Sequence, residues 1–585
     1  MEERIKPRTQ ESRDRRRTHM KRRRQQELIR KMIFFVVLIV VVIGGAFLVK
    51  KFSPSKERAD LNKYYGIKKE NQLAITIDNK VIGAKGMLID GEPYVEYSIV
   101  RDYLNERFYL DSGENMLLYT LPDGTIRADV GSREYTLKRE TKTEDYVILK
   151  MDGNTAYVAL DFVQKYTNLS FEMYKDPARV MIVRKWGDTT VAVVKKSAQL
   201  RTKDNIKSPI LTNVSKKDCV TIIDTKEGWK KVRTEDGIVG YMKSGSLKKE
   251  TVQTLSRDFE EQVYPNISKD YTINLAWHLV ASRADNDTVL EKIANGKGMT
   301  TISPTWFSLK DTKGNINSLA SSQYVTYAHQ QNVEVWALVK DFDGGIGSQE
   351  ETYELLRSTG NRENLINRLI AEALKTKIDG INVDFEYVSK ECSEHYLQFL
   401  RELSLKCRQN EIILSVDNPV LSKDTTQYNL KEQGNVVDYV ILMSYDEYGA
   451  DSEVSGPGAS YDFVKKAVED ALEVVPKEKL IHAIPLYSRL WEEVEEAVSN
   501  RAYGMNRIQN IIAEAGETVA LDKETGLNYA EWEADGATYK VWVEDLSSME
   551  AKLKLMKDHK LAGVAGWRLG FESSDAWELI LKYVN

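Results

Sequence analysis

The sequence predicts a mixed α/β protein with one transmembrane helix near its N-terminus and a (β/α)8 barrel as its C-terminal half, and three observations support this. From about residue 258 onward, eight short apolar runs alternate with amphipathic helical stretches, as parallel strands do with their connecting helices. The run at 379–386 places polar side chains at alternate positions near its end. A single uncharged stretch at 33–49 precedes both and is long enough to cross a bilayer.

Composition limits the classes of protein that this chain can be. With 585 residues, 29% charged and 42% hydrophobic, it is neither collagen-like nor largely disordered, and it has room for three or four domains. Residues 1–31 carry 13 Lys/Arg and 5 Asp/Glu, which leaves a net charge of -13 on the remainder and argues against nucleic acid as a partner. Three cysteines exclude a disulfide framework and a CxxC site, and we expect no metal or other cofactor.

The apolar stretch is predicted to be a membrane anchor. Residues 32–49 would form about 27 Å of helix, just enough to span the hydrocarbon core. The basic block at 15–24 indicates that residues 1–31 are a cytoplasmic tail, so that the rest of the chain lies outside the cell membrane. A cleaved signal peptide is the alternative, but the stretch is longer than a usual signal core and lacks an Ala-x-Ala site.

Three smaller segments are expected before the barrel. Residues 50–70 are polar and are predicted to be a linker. Within 71–186 the pattern of strand, Asp-Gly turn, Tyr-Val pair and short helix at 87–104 recurs at 149–166, which predicts an α+β repeat domain. This domain resembles the one named after the N-terminal region of copper amine oxidases. Because no His lies between positions 19 and 278, the resemblance implies no copper site.

Residues 188–249 resemble a bacterial SH3-like domain. Asp236-Gly237 is predicted to turn a hairpin between two β-rich runs. Related modules in surface proteins often bind cell-wall glycan or peptide. Trp229 and Tyr241 are candidates for that contact, but they could equally fill the core of the small barrel.

The barrel domain is expected over 257–585, and its geometry predicts where chemistry occurs. Active sites in such barrels lie at the carboxyl ends of the strands. An insertion at about 488–562 is longer than one connection needs, so we expect an extra helix and hairpin beside the cleft. Six tryptophans could face this cleft or pack in the interior: Trp277, Trp306, Trp336, Trp491, Trp532 and Trp542. The predicted strands are 273–280, 299–306, 333–342, 378–386, 411–418, 436–446, 480–487 and 563–570.

The fourth strand carries the strongest chemical signal. In the run DGINVDFE, Asn382, Asp384 and Glu386 share one face of a strand, and the apolar residues between them share the other. Two acids inside a barrel resist ionising together, so one is expected to stay protonated near neutrality, as glycoside cleavage requires. A buried hydrogen-bonded cluster or a cation site would account for the same pattern.

This run resembles the signature of glycoside hydrolase family 18, Asp-Gly-x-Asp-x-Asp-x-Glu. The resemblance implies that Glu386 is the general acid/base and that Asp384 orients the acetamido group of the substrate, which is itself the nucleophile. It also implies that the hydroxyl of Tyr445 contacts the acetamido carbonyl. The expected substrate-binding residues are Asp379, Asn382, Met443, Asp446 and Trp567.

One position departs from the family signature. Asn382 stands where many members carry Asp. An amide there can hydrogen-bond Asp384 but cannot share a proton with it, which predicts altered proton cycling and an altered pH optimum.

The wider resemblance is to bacterial family 18 proteins of the spore-germination and cortex-lytic kind. It implies a membrane-anchored glycosidase that cleaves β-1,4 bonds of N-acetylglucosamine polymers with retention, with peptidoglycan as the first substrate and chitin oligosaccharides as the second. A non-catalytic glycan-binding or wall-scaffolding protein is the alternative. Because lectin-like relatives typically lack the acid, Glu386 favours the enzyme.

Overall fold

The computed structural model describes residues 10–584, so the first nine residues of the expected tail and Asn585 lie outside it. The chain divides into two compact units. The first comprises residues up to 94 together with 168–258, and the second comprises 95–167 together with the chain from 259 onward. Up to residue 258 the helices and strands are α1 (Gln10–Phe52), α2 (Leu61–Tyr65), β1 (Gln72–Ile77), β2 (Lys80–Ile89), β3 (Glu92–Glu96), α3 (Tyr97–Ile99), β4 (Phe108–Asp111), β5 (Met116–Leu121), β6 (Gly124–Asp129), β7 (Glu134–Leu137), β8 (Glu140–Thr143), β9 (Leu149–Asp152), β10 (Thr155–Ala159), α4 (Leu160–Lys165), β11 (Ser170–Tyr174), β12 (Arg179–Val183), β13 (Gly187–Val193), β14 (Ala198–Arg201), β15 (Ile210–Val214), β16 (Cys219–Lys226), β17 (Trp229–Thr234), β18 (Val239–Lys243) and β19 (Thr251–Leu255).

The remaining elements form the barrel and its insertion. They are β20 (Ile273–His278), α5 (Val289–Asn295), β21 (Thr301–Pro304), β22 (Phe307–Leu309), β23 (Ile316–Ser318), α6 (Ser322–Gln330), β24 (Glu334–Lys340), α7 (Gln349–Leu356), α8 (Thr359–Thr376), β25 (Gly380–Asp384), α9 (Ser393–Gln409), β26 (Ile413–Pro419), α10 (Leu430–Val436), β27 (Tyr439–Met443), α11 (Tyr461–Leu472), β28 (Leu480–Pro485), β29 (Tyr487–Val494), β30 (Ala497–Gly504), α12 (Met505–Glu514), β31 (Ala520–Asp522), β32 (Leu527–Ala534), β33 (Ala537–Val543), α13 (Leu546–His559), β34 (Gly563–Trp567) and α14 (Ala576–Val584).

The helix α1 runs unbroken from the basic region through the predicted span. Its part from Met20 to Phe52 contains an 18-residue apolar window that is long enough to cross a membrane, and none of that window is buried against the rest of the protein. A signal sequence near the N-terminus has the same properties. The helix therefore establishes a candidate span and leaves its orientation as a prediction.

Part of the segment expected to be a linker packs on the SH3-like strands. The backbone N–H groups of Ser55 and Ala59 donate to the carbonyls of Ile206 and Ile210, both at 2.8 Å. Ala59 and Leu61 pack against the apolar core of the SH3-like strands. The polar composition of this stretch hid these contacts, because they are made mainly by the backbone.

The first unit contains two β-structures. In one, β1 pairs in parallel with β12 and antiparallel with β2, and β11 extends the edge beside β12. The other has the strand order β15-β14-β18-β17-β16-β13-β19 and is antiparallel throughout. Gly237, with φ of +73°, allows the tight turn between β17 and β18. Trp229 and Tyr241 are half-buried in this second structure.

Both copies of the sequence repeat have the expected local structure. In the first copy, β2 and β3 flank a turn at Asp90 and Gly91, and α3 follows. In the second, β9 and β10 form a hairpin around Gly153, and α4 follows. Positive φ values at these turn positions, such as +90° at Gly91, explain why Asp-Gly recurs there.

An antiparallel sheet from β4 to β8 belongs to the second unit and packs on helices of the barrel. The Asp111 carboxylate accepts hydrogen bonds from the backbone and hydroxyl of Thr359 at 2.7 and 2.6 Å. The Tyr109 hydroxyl contacts His395 Nδ1 at 2.7 Å. Beneath it the buried Arg362 pairs with Glu402 at 3.0 Å. The sheet therefore shares a buried polar interface with α8 and α9.

The second unit is built around a closed barrel of eight parallel strands. Their order is β21-β20-β34-β28-β27-β26-β25-β24, and a further pairing of β24 with β21 closes the ring. All eight strands predicted from the sequence are present. Apolar side chains that include Trp277 and Trp336 fill the interior, and Ile381 and Val383 pack outward against the helices. Trp277, Trp306 and Trp336 are fully buried, so packing is their role.

The insertion after β28 forms a five-stranded antiparallel sheet, β30-β29-β33-β32-β31, with the helix α12 beside it. Trp491 is fully buried and donates from its indole N–H to the carbonyl of Gly456. Trp532 stacks on Tyr539, and Trp542 donates to Asp522. All three tryptophans thus have packing or bonding partners within the protein.

Candidate active site

The fourth barrel strand, β25, presents Asn382 and Asp384 to the barrel interior. The apolar residues between them, Ile381 and Val383, belong to the outer core. The strand ends at Asp384, so Glu386 lies two residues beyond it, at the carboxyl end of the barrel, where its side chain is exposed. The alternation expected from the sequence therefore sets the direction of these side chains.

A buried carboxylate that the sequence did not single out holds the backbone at Glu386. Asp341, just after β24, accepts hydrogen bonds from the backbone N–H groups of Glu386 at 2.8 Å and Tyr387 at 3.0 Å. The hydroxyl of Thr352 donates to it at 3.1 Å. Burial raises the pKa of Asp341 to about 6. Its only signal in the sequence was a position at the end of a predicted strand.

The carboxyl group of Asp384 is buried, and its Oδ1 atom has no hydrogen-bond partner among the described residues. Burial raises the pKa of Asp384 well above its usual value, and the neighbouring carboxylates of Asp417 and Glu386 raise it further. A buried carboxyl group without a partner is costly when ionised, so Asp384 favours its protonated form.

Asn382 is a fully bonded hub inside the barrel. Its Oδ1 accepts from the Trp277 indole at 3.0 Å and from Ser303 Oγ at 3.2 Å. Its Nδ2 donates to Ser415 Oγ at 3.1 Å and to Asp417 Oδ1 at 2.8 Å. The hydrogen bond to Asp384 that an amide could make is not formed, because both amide hydrogens are directed to the adjacent strand β26.

Glu386 is suited to hold a proton. Partial burial raises the pKa of its carboxyl group, and the negative charges of Asp446 and Asp343 add to that effect. Lys340 acts in the opposite direction. A carboxylic acid with a raised pKa at an exposed position in a cleft can donate its proton to a substrate oxygen.

The end of β27 contributes a second group of predicted residues. Met443 ends the strand and Tyr445 follows it, with the Tyr445 ring centroid 6.4 Å from that of Tyr487. Burial, then the proximity of Tyr487 and Asp384, raises the pKa of Tyr445 well above its usual value. The phenol therefore stays protonated and can donate a hydrogen bond.

Asp446 is held by two residues at the start of the insertion. Its Oδ1 accepts from the Tyr487 hydroxyl at 2.5 Å and from Arg489 Nη2 at 2.8 Å. Neither Tyr487 nor Arg489 was predicted as a site residue, because Tyr487 was assigned to the end of the seventh strand and Arg489 to a connection whose path the sequence does not specify. Their bonds fix the carboxylate at the mouth of the barrel.

Trp567, at the end of β34, is half-buried and lies edge-to-face with Trp277, with 5.8 Å between ring centroids. Trp277 is fully buried, so of the two indoles only Trp567 offers a partly exposed surface at the carboxyl end of the barrel. A flat half-exposed ring is a suitable surface for stacking a sugar.

Asp379 does not join these residues. It precedes β25, at the amino end of the barrel, where its Oδ2 accepts from the backbone N–H of Val335 and contacts His329 Nε2, both at 2.8 Å. The expectation that it binds substrate was wrong, because five positions along one strand separate the two ends of the barrel.

Within residues 10–584, no cluster of three or more His, Cys, Asp or Glu side chains is arranged to hold a metal ion. The arrangement combines an exposed acid on a fixed backbone, a buried carboxyl group behind it and aromatic surfaces beside both. This set of groups fits the cleavage of a glycosidic bond.

Comparison with known proteins gives two family matches. Residues 297–572 match the family described as Glycosyl hydrolases family 18. Residues 196–248 match the Bacterial SH3 domain, which confirms the SH3-like module.

Two curated relatives come from Bacillus subtilis (strain 168). "Uncharacterized glycosylase YvbX" is 27% identical over 46% of this chain and 81% of its own length. "Cortical fragment-lytic enzyme" is 25% identical over 44% of this chain and 61% of its own. The chain thus spans about three fifths of the second relative.

Among solved structures, the Bacillus cereus spore cortex-lytic enzyme SleL superposes with a TM-score of 0.50 at 19% identity. The match covers 57% of this chain and 79% of that one. It supports the barrel fold.

Proposed function

We propose that residues 297–572, which match glycosyl hydrolases family 18, form a domain of that family and hydrolyse β-1,4 bonds of N-acetylglucosamine-containing glycans with retention of configuration. Glu386 protonates the glycosidic oxygen as the bond to the sugar carbon breaks. The acetamido oxygen of the substrate attacks the same carbon, and Asp384 orients the acetamido group for this step. Glu386 then removes a proton from the water that completes the reaction.

The remaining groups of the cleft are assigned to binding. The protonated hydroxyl of Tyr445 is positioned to donate to the acetamido carbonyl, and Trp567 provides the surface beneath the sugar ring. Asp446, fixed by Arg489, lines the subsite together with Met443. Asn382 acts from below through its hydrogen bonds and not by direct contact.

Peptidoglycan is the proposed substrate and chitin oligosaccharide the second choice. The name of the cortical fragment-lytic relative supports a wall polymer. We propose that α1 anchors the chain in the cell membrane with the N-terminus in the cytoplasm, which would bring the barrel close to the wall. The matched bacterial SH3 domain is compatible with wall binding.

The observation that carries the proposal is the position of Glu386 just beyond the carboxyl end of β25, with its backbone fixed by Asp341 and the buried Asp384 two residues away. The test incubates the full chain in detergent with purified peptidoglycan and with chitin oligosaccharides, and labels new reducing ends for mass spectrometry. Glu386→Gln removes the acid and keeps the size of the side chain. Glu391→Gln, at an exposed position in the same loop, is the matched control.

We expect new reducing-end N-acetylglucosamine from peptidoglycan with wild type and Glu391→Gln, and a loss of roughly 100- to 10,000-fold with Glu386→Gln. Cleavage of chitin oligosaccharides alone would overturn the substrate and keep the mechanism. Glycan binding without any product in wild type would instead favour the alternative, a wall-scaffolding protein.

A further inference from the structure

The family signature places an acid at the position of Asn382, and this chain has an acid on the next strand instead. In β26 the alternation of Ser415 and Asp417 directs both side chains into the barrel, beside Asn382 and Asp384 of β25. Asn382 is opposite Ser415 and Val383 is opposite Val416, so Asp384 and Asp417 come next on neighbouring strands. Such strands lie about 4.8 Å apart.

The carboxyl groups of Asp384 and Asp417 each have one buried oxygen that lacks a hydrogen bond within residues 10–584. Asp417 Oδ1 accepts from Asn382 Nδ2 at 2.8 Å. Its Oδ2 and the Oδ1 of Asp384 are buried, and neither has a partner in the described part of the chain. One proton between them would satisfy both oxygens, whereas two ionised groups would leave two buried negative charges unpaired.

Electrostatics agrees with the geometry. Asp417 is the largest influence after burial that raises the pKa of Asp384. Burial also raises the pKa of Asp417, although its hydrogen bond from Asn382 acts in the opposite direction. The pair is therefore expected to hold one proton at neutral pH.

We propose that Asp417 is a positioning residue that shares one proton with Asp384 and so replaces the acid that the family signature has at position 382. The inference rests on the proposed function, because it concerns the orientation of the acetamido group by Asp384. When Asp384 turns toward the acetamido N–H, the proton stays on Asp417 Oδ2 and the negative charge stays on Asp384. The total charge of the pair remains minus one.

The amide of Asn382 has a defined part in this arrangement. By donating to Asp417 Oδ1, it leaves Oδ2 as the oxygen of that carboxyl group that is free to share a proton with Asp384. The indole of Trp277 and the hydroxyl of Ser303 in turn hold the Asn382 oxygen. The acid that the family signature has on β25 thus lies on β26 as Asp417, and an amide, Asn382, takes its place on β25.

The test moves the acid from position 417 back to position 382 in the full-length protein. Asp417→Asn removes the shared proton, and the double variant Asp417→Asn with Asn382→Asp restores an acid beside Asp384. An acid at 382 can still accept from Trp277 and Ser303, and Asn at 417 can donate to it. Asp424→Asn, at a side chain that is 94% exposed, is the control for losing one carboxylate.

We expect Asp417→Asn to lower kcat at least about 10-fold with a shifted pH profile, and the double variant to recover most of the rate. The control should match wild type. A residue needed only for packing would give no recovery, so a double variant as slow as Asp417→Asn overturns the proposal. An unchanged Asp417→Asn profile overturns it as well.

A second measurement follows thermal stability against pH and needs no activity. The folded pair holds its proton to higher pH than the unfolded chain does, so wild type loses stability as pH rises above the ordinary Asp pKa of about 4. Asp417→Asn should lose less over that range. An inactive wild type that shows this difference would contradict the proposed function alone, and identical pH curves for the two proteins would contradict the shared proton.

Discussion

An aspartate lies at each end of β25, and the two carboxyl groups differ in their hydrogen bonding. At the amino end, Asp379 accepts two hydrogen bonds, from the backbone of Val335 and from His329. At the carboxyl end, Asp384 is buried with an oxygen that has no partner in the described chain. Asp379 therefore stabilises the amino end of the barrel, whereas Asp384 keeps a buried oxygen without a hydrogen bond to any described residue in the cleft. Unsatisfied buried groups cost stability, so they mark positions retained for chemistry.

The strongest test removes each aspartate in turn. Asp384→Asn should lower kcat roughly 100- to 10,000-fold, because the oriented charge is lost. Its melting temperature should stay close to that of wild type, because the amide that replaces the carboxyl group can donate a hydrogen bond to the buried Asp417 in place of the shared proton. Asp379→Ala should show the reverse, with kcat unchanged and stability lower by about 1–3 kcal/mol. Equal loss of activity in both variants would contradict the distinction between the two ends.

The comparison extends to buried charges that do have partners. Arg362 is completely buried, pairs with Glu402 and donates to the carbonyl of Leu356. Arg362→Met should destabilise the second unit by about 3–5 kcal/mol, because Glu402 is left buried and uncompensated. Denaturant unfolding measures this, with hydrogen exchange in α8 and α9 locating the effect. Adding Glu402→Gln should recover part of the loss, and no recovery would contradict the pairing.

The smallest effect concerns the proton on Glu386. Asp343 is exposed and is one of the charges that raise the pKa of Glu386. Asp343→Asn removes a negative charge and should lower the pKa of Glu386. Because the reaction needs the protonated acid, the alkaline limb of the kcat profile should then move down by a few tenths of a pH unit. The Lys340 that Asp343 pairs with becomes free and acts in the same direction. A shift to higher pH would contradict the assignment of Glu386 as the acid.

Local periodicity was enough to predict the barrel and the core of the site. All eight strands follow from apolar runs separated by amphipathic helical stretches, and the direction of Asn382 and Asp384 follows from alternation along β25. Asp341 and Asp417 were missed because their roles depend on which strands are neighbours. Tyr487 and Arg489 were missed because a long insertion returns to the cleft. Asp379 was misassigned because a motif shared along a sequence is divided between two ends of a barrel.

The contacts after α1 have a mechanical consequence. Only Ser53 and Pro54 separate the last helical residue, Phe52, from Ser55, whose backbone is bonded to the SH3-like strands, and Lys207 donates to the carbonyl of Ser53. With α1 in a membrane as proposed, the short hydrogen-bonded connection would hold the SH3-like module in a fixed position relative to the helix. The module would not move freely on a flexible linker. The distance of the SH3-like module from the lipid surface would be set by the size of the module itself. The module would reach different parts of the wall by lateral diffusion of α1 in the membrane, within a layer of constant thickness.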